Sequence, residues 1–265
     1  MAKFIFLLGG GAPLPAGAGA GDGRGVGGEV FFGPDIRYPP MCGRYTLSSP
    51  NDAVADLFEM PQLPLLPPRY NVAPTQETAV VRVLKHGEPR QLDLLRWGLV
   101  PYWAKDLSIG NKMINARSES VAEKPAYKRS FRKQRCLVAT DGFFEWKKVG
   151  KLKQPYHIRR QDRRPFAFAG LWDRWKNPEG KLIDTFTILT TSSNELIRPL
   201  HDRMPVILDR KDFSLWLDPD MNDPVRLQEL LVPAPSEGME TVPVSRVVNS
   251  PAHDTADCIE PLVEG

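Results

Sequence analysis

The residue with the most unusual chemistry is Cys42, which stands in the segment Met41-Cys42-Gly43-Arg44-Tyr45. If everything up to Met41 is removed, the chain begins with a cysteine that carries a free amine beside its thiol. Such an aminothiol attacks an aldehyde through the amine, and the thiol then closes a five-membered thiazolidine. An α-amino pKa of about 7.7–8.0 leaves a useful neutral fraction of the amine near pH 7. From this segment alone, an ordinary internal cysteine is the alternative.

Two further positions suit proton transfer. Glu145 is flanked by bulky aromatic residues, and such surroundings raise the pKa of a carboxyl group so that it can act as a general acid or base near neutrality. Its alternative is an ion pair with one of the two lysines that follow. His201 lies beside an aspartate and an arginine, between a predicted helix end and a predicted strand. A histidine there can transfer a proton, and a structural histidine is the alternative.

The composition is that of an ordinary globular protein. Its 265 residues are 42% hydrophobic and 25% charged, with a net charge of +3. No apolar run is long enough to cross a membrane. The three cysteines, Cys42, Cys136 and Cys258, form neither a disulfide framework nor a paired metal motif, which favours a reducing cytoplasm. Cys136 falls in a strand that reads as buried, so we interpret it as a core thiol.

The first forty residues differ from the rest. They hold 11 of the 21 glycines and 5 of the 26 prolines. A segment of this kind buries too little apolar surface to offset its chain entropy. We therefore predict a disordered extension over residues 1–40, which is either a start assigned too far upstream or a segment that is removed. Residues 41–265 are then predicted to form one catalytic domain.

Short helices and strands are predicted within this domain. Ser49 is expected to cap a first helix, with Pro50 at the first helical position. Further helices are predicted after residues 192–195 and over 211–217 and 224–231. Strands are predicted over residues 78–84, 91–97, 135–140, 155–159, 165–171, 183–190 and 242–248.

Two segments have a composition that suits nucleic acid. Residues 112–135 carry eight basic and two acidic residues, with Tyr127 and Phe131 among them at helical spacing. This pattern suits a phosphate backbone, although a solvated helix face is the alternative. Residues 97–103 place two tryptophans and a tyrosine around a glycine and a proline. Such aromatic residues are either base-stacking platforms or a plug of the core.

Seven segments taken together resemble the SOS-response-associated peptidase family, whose members shield abasic sites in single-stranded DNA. The resemblance covers residues 41 to about 262. Each segment is weak alone, but all seven occur in order. They are MCGRYTLS at 41–48, RYNVAPT at 69–75, RWGLVPYWA at 96–104, INARSES at 114–120, DGFFEWKK at 141–148, LHDRMPVIL at 200–208 and PVSRVVN at 243–249.

We expect an α+β fold in which mixed, mainly antiparallel sheets form a barrel-like core with short helices outside. The resemblance implies a nucleophile and three other catalytic residues, and it implies DNA contacts from three arginines, a stacking tryptophan and a threonine. No cofactor and no metal are implied. The catalytic residues are Cys42, Asn115, Glu145 and His201, and the DNA-binding residues are Arg44, Trp103, Arg117, Thr190 and Arg203.

The implied function is abasic-site processing in DNA damage and the SOS response. The Cys42 amine and thiol would form a covalent thiazolidine crosslink to single-stranded DNA at abasic sites, after self-cleavage exposes the cysteine. This combines lyase-type and peptidase activity in a monomeric, cytoplasmic, nucleoid-associated protein without a membrane partner. The sequence departs from the family pattern because 41 residues precede Cys42, where one methionine is usual. The alternatives are a non-catalytic single-strand-binding module and a thiol peptidase that acts on other proteins.

Overall fold

A computed structural model describes residues 42–262 of the protein, so the predicted extension over residues 1–40 lies outside the described residues. The described part contains four short α-helices, and several 3₁₀ turns lie between its elements. The helices are α1 (Asn51–Phe58), α2 (Lys128–Lys133), α3 (Phe213–Leu217) and α4 (Pro224–Glu229). The strands are β1 (Tyr45–Leu47), β2 (Arg69–Val72), β3 (Glu77–Arg82), β4 (Gln91–Trp97), β5 (Asn115–Arg117), β6 (Arg135–Thr140), β7 (Gly142–Val149), β8 (Leu152–Arg160), β9 (Phe166–Lys176), β10 (Leu182–Ser192), β11 (Arg203–Pro205), β12 (Ile207–Leu208) and β13 (Met239–Pro243).

Five strands close into a barrel. They follow the order β10-β4-β3-β6-β9, and the long pairing of β9 with β10 joins the two ends of this series. Within the barrel, β4 pairs with β10 in parallel, and the other pairings are antiparallel. Outside the barrel, β5 pairs in parallel with the outer part of β10, residues 188–190. The interior is filled by side chains, and Cys136 on β6 is fully buried as predicted. The predicted α+β class with a barrel-like core is therefore confirmed.

A second sheet, in the order β13-β8-β7-β1-β2, is entirely antiparallel. Its short strand β1 packs through Tyr45, whose ring lies edge-on to Trp97 at 5.1 Å and to Phe168 at 6.0 Å. All three rings are fully buried, and such edge-to-face contacts add to the apolar burial. The packing of Tyr45 fixes β1 against strands of the barrel, three residues after Cys42.

The start of α1 differs from the prediction. Pro50, not Ser49, is the residue that precedes the helix, and no side chain caps it. The amide and the hydroxyl of Ser49 both donate to Asp141, at 2.6 and 3.0 Å. Thr46 and Ser48 donate to the same carboxylate. Ser49 therefore bonds to the carboxylate of Asp141, between β6 and β7, instead of capping the helix as the local sequence predicts.

Two other predicted elements were wrong. Residues 193–200 form turns instead of a helix, and Asn194 accepts the amide of Ile197 there. The last predicted strand, over 242–248, is shifted, because β13 ends at Pro243 and a 3₁₀ turn occupies Arg246–Asn249. None of the helices within residues 42–262 is long and apolar enough to span a membrane.

Candidate active site

Sheet register brings the start of the described chain to Glu145. In the antiparallel pair of β1 and β7, Tyr45 lies opposite Phe143, and the amide of Phe144 donates to the carbonyl of Arg44 at 3.0 Å. Continuing this register by two residues from Tyr45 places Gly43 opposite Glu145. The nitrogen of Cys42 then donates to Oε1 of Glu145 at 2.8 Å. Two residues that are 103 positions apart in sequence therefore meet through strand pairing.

Cys42 is fully buried and turns away from the line of β1. Its φ of 45° lies in the left-handed region that residues other than glycine seldom adopt. Burial raises the pKa of its thiol well above the ordinary value, and the neighbouring Glu145 carboxyl raises it further. The thiol is therefore held protonated, and a base must remove its proton before the sulfur can act as a nucleophile.

Glu145 is also buried, with 3% of its surface exposed. Burial raises its pKa from 4.5 to about 8, and the negative charge of Asp202 acts in the same direction. Hydrogen bonds from the amides of Cys42 and Trp146 lower it in part. The predicted effect of the aromatic surroundings is confirmed. Among residues 42–262, no lysine forms an ion pair with Glu145, so the alternative from the sequence is not supported.

His201 lies at the end of the turn segment, partly exposed. Its Nδ1 accepts the amide of Arg203 at 3.1 Å, and Asp202 lies 2.8 Å from the same nitrogen. Since the charge of Asp202 acts on Glu145, this segment lies near the glutamate. A histidine on this segment is placed for proton transfer near the Cys42–Glu145 pair.

The outer part of β10 gathers three further predicted residues. Thr190 lies opposite Arg117 of β5 on one side and Pro205 of β11 on the other. Asn115 lies two residues before Arg117, opposite Ile188, and its carbonyl accepts the hydroxyl of Tyr127 at 3.4 Å. Thr190 is fully buried, whereas Arg117 is exposed. Strand pairing therefore places Asn115, Arg117 and Thr190 at one edge of the barrel.

Arg203 is engaged within the protein. Its guanidinium forms a two-pronged pair with Glu119, at 2.6 and 2.9 Å, and donates to the carbonyl of Thr190 at 2.6 Å. Only 13% of its side chain is exposed. The bond from Arg203 lowers the pKa of Glu119, so this carboxylate stays charged. Arg203 thus links β11, β10 and the turn after β5.

Arg44 is half-buried and also has protein partners. Its Nη1 donates to the carbonyl of Val248 at 2.9 Å and lies 3.5 Å from the side-chain oxygen of Asn71. Burial lowers its pKa from the ordinary value. The buried amide of Asn71 in turn donates to three carbonyls of the C-terminal loop, those of Val248, Ser250 and His253. The loop after β13 therefore helps to hold Arg44.

The aromatic segment at 97–103 contains both a core residue and a residue that can stack on a base. Trp97 is fully buried and donates to the carbonyl of Ile114 at 2.9 Å, so it belongs to the core. Trp103 is 50% exposed and can offer a surface for stacking. In the basic stretch, Tyr127 and Phe131 are buried in the core. These two rings therefore belong to the core, and the charged side chains of that helix face outward.

Sequence reasoning did not find three residues that shape this site. They are Asp202, whose charge acts on Glu145, Glu119, which pairs with Arg203, and Asn71, which lies between Arg44 and the C-terminal loop. Each falls inside one of the seven family segments. Their presence there was a signal, but the partner that each one contacts comes from a distant part of the chain.

The potential metal ligands are other residues than the candidate catalytic ones. In the described residues, two groups bring three donor atoms within 4.8 Å of one another, and neither includes Cys42, Glu145 or His201. In the group nearer the C-terminus, internal hydrogen bonds connect the members. The groups are His253, Asp257 and Cys258, and His86, Asp218 and Asp220.

Comparisons with known proteins identify the family of this chain. The profile of the SOS response associated peptidase (SRAP) family matches residues 41–251. The abasic site processing protein YoqW of Bacillus subtilis is 44% identical over 226 residues, which cover 83% of this chain and 99% of that protein. The abasic site processing protein HMCES of Xenopus tropicalis is 33% identical over 225 residues, or 74% of this chain and 67% of that protein.

A solved structure shares the fold. It is the crystal structure of a protein from Bacteroides thetaiotaomicron, with a TM-score of 0.74 and 26% identity, and the match covers 84% of this chain and all of that one. The family match extends from Met41, next to the buried Cys42–Glu145 pair, through the segment that carries His201. The chain therefore belongs to the SOS response associated peptidase family.

Proposed function

We propose that this protein processes abasic sites by forming a covalent thiazolidine with single-stranded DNA through the amine and thiol of Cys42. The observation that carries the proposal is the 2.8 Å contact between the nitrogen of Cys42 and Oε1 of Glu145 in a buried setting. That contact puts a carboxyl group with a pKa of about 8 at the nitrogen whose chemistry matters. The names of the relatives point to the same substrate.

Self-cleavage is the first step. While residue 41 is attached, the Cys42 nitrogen is an amide and has no lone pair for an aldehyde. Hydrolysis breaks the bond between the carbonyl carbon of Met41 and this nitrogen, with water supplying the hydroxyl of the new carboxyl group. The departing nitrogen needs a proton. Glu145 is largely protonated at neutral pH and lies at hydrogen-bond distance, so it can supply that proton.

Crosslinking follows on the open-chain aldehyde of the abasic sugar. His201 can protonate the ring oxygen and so favour the open form. The neutral amine of Cys42 attacks C1′, the carbinolamine loses water, and the thiol adds to the resulting Schiff base. Glu145 can give a proton to the departing hydroxyl and take the proton of the thiol. The net change is loss of one water, and the thiazolidine prevents strand cleavage by β-elimination.

The DNA contacts in this proposal come from Arg44, Arg117, Arg203, Trp103 and Thr190. Arg117 and Trp103 are exposed and can meet a phosphate and a base directly. In Arg44 and Arg203, some of the guanidinium N–H groups donate to protein partners, and these bonds orient the N–H groups that remain. In this proposal the protein acts as a monomer on DNA in the cytoplasm, at the nucleoid, and Asn115 holds the terminal cysteine or a sugar oxygen.

The test uses a chain that begins at Cys42, its Cys42→Ala variant, and Cys258→Ala as the matched control for loss of a buried cysteine. Each is incubated with single-stranded DNA containing one abasic site and analysed on a denaturing gel after heating. The parent and Cys258→Ala should give a heat-stable adduct, and Cys42→Ala should bind without crosslinking. An equally stable adduct with Cys42→Ala would contradict the mechanism. Equal binding of intact and abasic strands, without any adduct, would favour the non-catalytic binding module.

A further inference from the structure

A second feature of the surface lies beside Trp103. Tyr102 is 53% exposed, and the guanidinium of Arg129 lies over its ring, 4.5 Å from the centroid. Arg129 belongs to α2, and its own side chain is 56% exposed. The stack therefore presents a flat, positively charged surface to solvent, formed by an aromatic ring from one loop and a guanidinium from a helix.

A buried carboxylate fixes this stack. Asp173 on β9 is 2% exposed, accepts the amide of Tyr102 at 3.0 Å, and lies 3.8 Å from Nη1 of Arg129. On the next inward position of β9, Trp175 donates to the carbonyl of Ala104 at 2.7 Å. The backbone on both sides of Trp103 is thus tied to one strand of the barrel. A loop held in this way presents Tyr102 in a defined orientation, so the stack is a built feature and not a chance contact.

The exposed face of α2 extends the charge. Its two inward residues, Ser130 and Phe131, are buried, and the other four residues are exposed and basic. No acidic residue occurs on the helix. The four exposed basic residues of α2 are Lys128, Arg129, Arg132 and Lys133. A surface with several cations and two half-exposed aromatic rings complements a strand that offers phosphates and unpaired bases at the same time.

The surface is within reach of the candidate active site. The ring of Trp97, five residues before Tyr102, lies 5.1 Å from the ring of Tyr45, which is three residues after Cys42. Five residues span no more than about 18 Å when fully extended. A strand whose abasic sugar enters at Cys42 can therefore continue over this surface.

We propose that the stack of Tyr102 and Arg129, with the basic face of α2, binds the unpaired nucleotides that adjoin the abasic site. Asp173 acts as the positioning residue of this surface. The inference rests on the proposed function, since it names a further part of the same DNA strand. A base stacks on the exposed side of the Tyr102–Arg129 pair, because the planar guanidinium can also stack, and the outward cations of α2 contact the phosphates.

The test measures binding without crosslinking. Full-length protein is titrated with a fluorescent single strand that carries a tetrahydrofuran analogue of the abasic site, which has no aldehyde, over a range of salt concentrations. Arg129→Ala should weaken binding severalfold and reduce the log–log salt slope by about 0.7, as expected for one lost phosphate contact. Tyr102→Ala should weaken it about fivefold or more through lost stacking, whereas Tyr102→Phe should bind like the parent.

The control is Lys151→Ala, which removes one exposed positive charge in the turn between β7 and β8. It should leave affinity and salt slope unchanged. If Arg129→Ala binds like Lys151→Ala, the surface does not contact DNA. If a duplex of equal length loses as much affinity as the single strand, no unpaired base stacks there, and the proposal is also overturned.

The crosslinking assay on natural abasic strands separates this inference from the proposed function. At limiting protein, the Arg129→Ala variant of the chain that begins at Cys42 should form less adduct than its parent, because it binds fewer of the strands. If that parent crosslinks while Arg129→Ala and Tyr102→Ala bind as tightly as the parent, the proposed surface is contradicted and the thiazolidine mechanism is not. Loss of single-strand affinity in the variants, with no adduct from the parent, would support the surface and contradict the thiazolidine mechanism.

Discussion

Replacing Glu145 by glutamine tests whether a buried carboxyl group with a raised pKa lies at the Cys42 nitrogen. Glutamine keeps the size of the side chain and an oxygen that can accept the 2.8 Å bond from Cys42, but it removes the ionisation. We expect the variant to fold and to lose a pH dependence of stability that the parent shows. The effect follows from the difference between the folded and unfolded states in the pKa of this one group.

The direction and the size follow from linkage. The carboxyl pKa is 4.5 in ordinary surroundings and about 8 in the folded protein. Between these values the folded state holds a proton that the unfolded state has released, so stability falls as pH rises through the window. Each pH unit is worth up to ~1.4 kcal/mol. The parent should therefore lose roughly 3 to 4 kcal/mol between pH 5 and pH 8 from this group.

Urea unfolding of parent and variant at several pH values measures this loss as the difference between two curves. The subtraction is needed because His157 acts in the opposite direction. Burial lowers its pKa from 6.5 to about 3, so the unfolded state takes up a proton below pH 6.5 and stability falls toward acid. That contribution is common to both proteins. Parallel curves for the parent and Glu145→Gln between pH 5 and pH 8 would refute the raised pKa and the mechanism built on it.

Two further predictions concern packing and charge near the site. In Gly142→Ala, the new Cβ would lie 2.1 Å from Nε2 of His157, and we expect a loss of roughly 2 kcal/mol or more in urea unfolding. Unchanged stability would mean that the His157 ring moves freely. In Glu119→Gln, the partner of Arg203 loses its charge, so single-strand affinity should rise and the salt slope should steepen. An unaltered slope in salt-titrated anisotropy would show that Arg203 does not face the DNA phosphates.

Several strands of the barrel could be predicted from the sequence because recognisable turns bound them. The strands over 91–97 and 135–140 were predicted with the bounds that the structure gives. β7 was not predicted as a strand, because its first half is buried and its second half exposed, so it has no alternation of period two. Asp141, 92 residues from Ser49 in sequence, outweighed the local preference of that serine for a helix cap.

The sequence indicated candidate residues for the site, but it indicated few of the contacts that these residues make. The aromatic neighbours of Glu145 indicated a raised pKa, since desolvation is a property of the local segment as well as of the fold. For Arg44 and Arg203 the residue type indicated the charge, and the family segments indicated a role. The sequence could not show that Arg44 contacts Val248 or that Arg203 contacts Glu119, because both contacts join distant segments. Whether an arginine faces solvent or a protein partner depends on tertiary packing.

The position of the Cys42 nitrogen is set by strand register, and this has a consequence for the mechanism. A reactive terminus on a free chain end would sample many orientations. Here β1 is fixed on one side by its pairing with β7 and on the other by the buried ring of Tyr45, only three residues from Cys42. One residue more or less in that interval would change which group faces Glu145, since neighbouring residues of a strand point to opposite sides. The short interval from Cys42 to Tyr45 therefore matters as much for the amine chemistry as the cysteine itself.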